Sequence, residues 1–127
     1  MLTLILKGKW YDMIRSGEKL EEYREIKEYY TIRFRNAGLI DEQGKTTARL
    51  QEVLFRRGYA KNAPQMVCLC ACIKMLGRSE WGAEPNKSYY VLLIEHFIEV
   101  SPDARFSWKN KMLKRKRLRR KVSDRSQ

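Results

Sequence analysis

The segment Gln65–Met75 constrains this chain more than any other. It alternates Val67, Leu69, Ala71 and Ile73 with Cys68, Cys70 and Cys72, so an extended backbone sends two apolar sets to opposite faces. A strand that is apolar on both faces must be covered on both, which places it in the middle of a sheet. Ser88–Val100 is a second long apolar strand, and Glu95-His96 marks the point where a bulge would bend it. The three cysteines are spaced C-x-C and lack the C-x-x-C pairs of zinc sites, and the only histidine is His96. They read as reduced, buried thiols that pack as small hydrophobes, and no metal or cofactor is expected.

The other elements fall around these two strands. Leu2–Lys7 is rich in Leu and suits a buried first strand, which Gly8 breaks. Trp10, Met13 and Ile14 recur at helical spacing, so Lys9–Arg15 is a short helix with those residues toward the core. Gly17 suits its left-handed cap. Leu20–Ile26 is strand-like again. Glu28–Ala37 reads as a second helix, with Tyr29, Ile32 and Ala37 inward, Arg33 and Arg35 toward water, and Gly38 closing it. Residues 39–51 form an excursion with a helical turn around Ala48–Gln51. Glu52–Arg57 is a strand stopped by Gly58, Tyr59–Pro64 is a loop, and Leu76–Lys87 is a longer loop holding Trp81. The order strand, helix, strand, helix, then three strands lacks the regular alternation of a parallel doubly wound sheet. It predicts a mixed, β-rich α+β fold, a bent mixed sheet or small open barrel with two or more short helices.

At 127 residues, 43% of them apolar, the chain can bury one core without staples. Residues 1–104 are expected to form that domain and residues 105–127 a basic tail. Of the net charge of +12, residues 109–127 carry +9, with ten Lys/Arg against one Asp, which leaves +3 for residues 1–108. Such a tail can neutralise nucleic-acid phosphates without regard to sequence. The plainer reading is a solvated end. Arg105–Trp108 could dock back on the domain, and Met112, Leu113 and Leu118 could dock there or on a partner. No run reaches the ~18 apolar residues of a membrane span, and the stretch from Met1 to Lys7 is too short for a signal peptide's apolar region. The expected location is cytoplasmic. Serine-nucleophile motifs, phosphate-cradling glycine loops and metalloprotease spacings are absent, which argues against nucleotide triphosphatases and oxidoreductases.

Between the first helix and the second strand stands Gly17-Glu18-Lys19-Leu20-Glu21-Glu22-Tyr23-Arg24. On a strand, Glu22 and Arg24 point to one face, and Lys19 can lean toward the same space. Spacing alone allows an ordinary surface ion pair worth ~0–1 kcal/mol. The pattern G-x-K-x-x-E-x-R, complete at Gly17, Lys19, Glu22 and Arg24, resembles the motif of the ASCH family of the PUA-like superfamily. So do its position after the Trp10–Ile14 helix, the Phe55–Tyr59 segment, the Trp81-Gly82 loop and the long last strand. The resemblance spans roughly residues 2–100. It implies a PUA-like pseudo-barrel with a cleft lined by the motif, in which RNA or a nucleotide-like ligand binds.

Lys19 and Arg24 would offer donors to phosphate, Arg24 as a planar fork, and Glu22 would accept from an amine or a sugar hydroxyl. Tyr59 and Trp81 are candidates to stack on a base, although either can serve simply as a turn or core residue. Similarity to small ASCH amidohydrolases implies a second activity, deacetylation of N4-acetylcytidine-type nucleosides, with Lys19 and Glu22 as the catalytic candidates. Those enzymes place a threonine three residues after the motif lysine. Here Glu22 stands at that position, and the hydroxyl is missing. His96 is a further acid or base candidate by residue type, with a packed hydrogen-bonding role as its plainer reading.

Overall fold

Because both faces of its sequence are apolar, β4 (Gln65–Leu76) takes the centre of the sheet. The computed structural model describes residues 1–101 and orders five strands β1-β3-β4-β5-β2. In chain order the elements are β1 (Leu2–Leu6), α1 (Gly8–Ser16), β2 (Glu21–Glu25), α2 (Glu28–Asn36), β3 (Gln51–Arg57), β4 and β5 (Ser88–Val100), with a 3-10 turn at Ser79–Trp81. β1 runs parallel to β3, and all other neighbours are antiparallel. The sheet is mixed and curled, a β-rich α+β half-barrel with two helices.

Two layers of packing cover β4. Cys68, Cys70 and Cys72 are fully buried in the main core with Phe55, Tyr90, Leu92, Tyr11 and Ile14 of α1, and Phe34 of α2. The thiols are free, and burial pushes Cys72 up to about 12. The opposite face carries a smaller cluster of Val91, Tyr89 and Ala83 with Ile73 and Tyr23 packed against it. The predicted bulge is present: Leu69 pairs with His96 and Cys70 with Ile94, so Glu95 is the extra residue, and a second shift lies between Val67 and Cys68. Gly17 adopts φ 87° and donates to Ile14 O, closing α1 as its sequence predicts.

Three expectations are corrected. In α2 the core residue is Phe34, with Tyr30 and Ala37 packed beside it, whereas Tyr29 and Ile32 are exposed. Tyr30, Phe34 and Ala37 satisfy helical spacing as well as the predicted set, and contact of Phe34 with the Tyr90 ring, centroids 5.2 Å apart, fixes the phase. Arg33 and Arg35 therefore do not simply face water; they donate to Thr3 O and Asp41 O. In α1 the buried residues are Tyr11, Ile14 and Arg15, and Trp10 and Met13 are half-buried. No helical turn forms at Ala48–Gln51: Ala48 sits at φ 60° and β3 begins at Gln51. Among the described residues no helix is long and apolar enough to cross a membrane. The expectations for Arg105–Trp108 and for Met112, Leu113 and Leu118 lie outside the described residues.

Candidate functional site

The site grows from the two strands that the sheet leaves at its edges. Leu6 O accepts from Gly58 N after β3, so by strand alternation the backbone of Thr3 and Ile5 faces away from β3. Leu20 O accepts from Ile94 N, so Glu22 and Arg24 bond toward β5 while Glu21 and Tyr23 turn their backbone outward. Two open edges thus face each other across a seam, and exposed strand edges must be satisfied somehow. Here cationic side chains take the carbonyls. Lys19 Nζ donates to Glu21 O at 2.6 Å, and Arg24 donates to Tyr23 O at 2.8 Å and across the seam to Ile5 O at 3.3 Å. Arg33 of α2 donates to Thr3 O at 2.7 Å.

Glu22 knits the cations together. Its Oε1 accepts from Lys19 Nζ at 2.5 Å, and its Oε2 accepts from Arg24 Nη1. Lys19 is fully buried and Glu22 is 5% exposed. Burial alone would raise the Glu22 carboxyl, yet the ammonium of Lys19 and the guanidinium of Arg24 outweigh it and hold the group below the ordinary carboxylate range. For Lys19, burial dominates and lowers the ammonium, with the Glu22 charge and hydrogen bond opposing it.

Above this trio lies a cleft of about 420 Å³, within the range of small-ligand sites. β1 contributes Ile5 and Leu6, and Lys7 follows them. β2 contributes Glu22 to Glu25. Trp10 of α1, Tyr30 of α2, Trp81 and Tyr89 supply aromatic walls. Arg24 lies 5.8 Å from the Tyr30 ring centre, and Arg78 covers the Trp81 ring at 4.7 Å. Lys87 approaches both Glu25 and Glu84 at 3.7 Å, tying the 77–87 loop to β2. Lys7 and Lys27, also in the lining, have no carboxylate within 4 Å among the described residues. They precede α1 and α2, and neither helix start carries a side-chain cap.

Of the residues singled out in the sequence, Glu22, Arg24 and Trp81 line the cleft. Lys19 lies beneath Glu22 and supports the floor from below. Trp81 is 4% exposed, with Arg78 on its ring, so it acts as a wall. Tyr59 is 85% exposed on the β3–β4 hairpin and outside the lining; His96 is exposed on the far half of β5 and also outside it. Trp10, Tyr30, Tyr89, Lys7 and Lys27 were not foreseen. Their shared signal is position: Lys7 and Lys27 follow the ends of β1 and β2, Tyr89 stands at the start of β5, and Trp10 and Tyr30 lie in the first turns of the helices that come next, where a curled sheet brings its edges together.

The donors and acceptors suit a mixed ligand. Glu22 keeps lone pairs beyond its two bonds, Arg24 keeps N–H groups, and the walls offer ring faces. The described lining contains no Ser, Thr, Cys or His. No group of three or more His, Cys, Asp or Glu that could hold a metal ion occurs among the described residues. A scan of protein-family models, a search of curated proteins and a search of solved structures each returned no match to this chain.

Proposed function

We propose that this chain is a member of the ASCH family, and that it binds RNA or a nucleotide-like ligand in the seam cleft. The observation that carries the reading is the pairing of Glu22 with Arg24 at the base of a cleft walled by Trp10, Tyr30 and Tyr89. A base has a polar edge and two ring faces, and this lining offers polar groups below and aromatic rings at the sides. Lys7 and Lys27 are placed to meet phosphate. The basic residues of 109–127 add a sequence-independent electrostatic contribution, and free, buried cysteines fit a reducing cytoplasm. In fluorescence anisotropy with single-stranded RNA, Arg24→Gln is expected to weaken binding about tenfold, as loss of a charge-assisted hydrogen bond would, while the circular dichroism spectrum stays unchanged. Wild-type affinity in a folded Arg24→Gln protein would overturn the reading.

A second reading is deacetylation of an N4-acetylcytidine-type nucleoside. One observation favours it: the Lys19 amine, lowered by burial, touches the Glu22 carboxylate, an arrangement able to hold and move a proton. The absence of a serine or threonine hydroxyl in the described lining weighs against it. Incubation with N4-acetylcytidine and assay of released acetate decides the matter, since sustained turnover lost in Glu22→Gln would establish an enzyme.

A further inference from the structure

The β3–β4 hairpin tip is built in a way that the cleft does not explain. Tyr59 is 85% exposed, the most exposed of the large apolar side chains among the described residues. An exposed tyrosine usually sits on a yielding loop, yet this loop is braced at several points. Arg56 donates to Ala60 O at 2.9 Å, Ala63 N donates to Ala60 O at 3.0 Å, and Arg57 N donates to Pro64 O at 2.9 Å. Arg57 makes a two-point contact with Asp12 of α1 at 3.0 and 3.1 Å. Gly58, at φ 78°, directs its N–H to Leu6 O at 2.9 Å. The fold thus braces the backbone around a large ring that stands in water and buries almost nothing.

Charge singles out the same place. No acidic residue occurs between Glu52 and Glu80, while Arg56, Arg57 and Lys61 surround Tyr59 in sequence. Lys7 and Lys9, both exposed, flank Gly8, where a Cβ would lie 2.6 Å from the Arg57 guanidinium. The tip therefore borders Leu6-Lys7-Gly8, and Lys7 also lines the cleft. A basic path leads from the cleft, past Lys7, to the tip. Asp12, already engaged by Arg57, is the carboxylate beside it.

We propose that the hairpin tip is a second contact for single-stranded RNA, in which Tyr59 stacks on a base of a strand that leaves the cleft past Lys7. The inference rests on the cleft reading for the strand's starting point, and it makes the preferred ligand a polymer rather than a free nucleotide. An exposed ring on a braced loop amid Arg and Lys matches the stacking platforms of single-strand binders, whose rings accept any base. An acidic protein segment would use the basic side chains but gain little from an exposed ring.

The test uses the full chain, uridine monophosphate, and single-stranded RNA of about 12 nucleotides. Tyr59→Ala is expected to weaken binding of the oligomer about tenfold or more and to leave uridine monophosphate unaffected. Tyr59→Phe is expected to retain wild-type affinity, and Lys61→Ala to lower the salt dependence by about one phosphate contact. The tip is overturned if Tyr59→Ala binds the oligomer like wild type, if Tyr59→Phe falls as far as the alanine variant, or if polyglutamate displaces the oligomer equally well from wild type and Tyr59→Ala. Arg24→Gln separates the two ideas. Loss of oligomer binding in Tyr59→Ala but not in Arg24→Gln leaves the tip standing and overturns the cleft, and the reverse pattern overturns the tip alone.

Discussion

One sheet is held together in two different ways. Across β3, β4 and β5, backbone ladders join the strands and thiols, leucines and aromatic rings fill the space beneath. Across the seam between β1 and β2 there is no ladder. Lys19, Arg24 and Arg33 take the edge carbonyls, and Glu22 holds two of these cations in place. The first arrangement depends on apolar area and, below the alkaline range in which Cys72 ionises, is nearly blind to pH. The second depends on buried charge, so its geometry is tuned by protonation. It also leaves a gap in which polar groups stand ready for a ligand. A completed barrel would have paired those edges and removed the cleft.

The contrast can be broken experimentally, and the largest effect is expected on the apolar side. Phe34 is fully buried, and Phe34→Ala is expected to lose about 3–5 kcal/mol in urea unfolding, with little dependence on salt. Glu22→Ala strands the buried Lys19 ammonium and the Arg24 guanidinium. Its expected loss is nearer 3 kcal/mol, because Lys19, already lowered, can give up its proton. Adding Lys19→Met should restore most of that loss, since an apolar replacement of a buried pair is often near neutral. If Glu22→Ala proves harmless by itself, the seam is held by something other than its charges.

The pH dependence sharpens the same distinction. With its native pKa depressed, Glu22 binds fewer protons in the folded state than in the unfolded chain, so stability falls as the pH drops through the native value. Glu22→Gln should flatten this acid limb, while Phe34→Ala should only lower the whole curve. On the alkaline side Cys72, raised from 9.0 to about 12, retains its proton when folded, so stability falls as the pH climbs through that interval. Lys19, lowered, acts in the opposite sense as the pH rises toward 10.5. The smallest effect is expected at the rim: Arg57 is 39% exposed in its pair with Asp12, so Arg57→Ala should cost only about 0–1 kcal/mol in the same urea titration.

Much of this was legible in the residues. The two-faced apolar pattern of 65–75 dictated a central strand, and the polar Glu95-His96 interruption marked the bulge. Period-two spacing put Glu22 and Arg24 on one face. The phase of α2 was not legible, because Tyr29 with Ile32 and Tyr30 with Phe34 fit the same helical period. Only a partner from another strand, Tyr90, chooses between them. The burial of Lys19 was equally hidden, since a lysine carries no local sign that an edge carbonyl and a carboxylate will enclose it. Tyr59 reads from the sequence as a base-stacking candidate of the cleft, yet it lies outside the lining, and its place depends on how β3 pairs with β1, a contact set across some fifty residues.

That parallel pairing has a consequence for how the chain acquires its form during synthesis. β4 and β5 are joined by a loop of about a dozen residues, and β3 precedes β4 closely, so these antiparallel neighbours can meet early at small entropic cost. β1 must wait for β3, and β2 has no sheet partner until Ser88–Val100 has been made. Within this domain the motif residues are translated well before the strand that positions them. Until β5 leaves the ribosome, Lys19, Glu22 and Arg24 belong to a segment without a sheet, and whatever the cleft binds can bind only a finished domain.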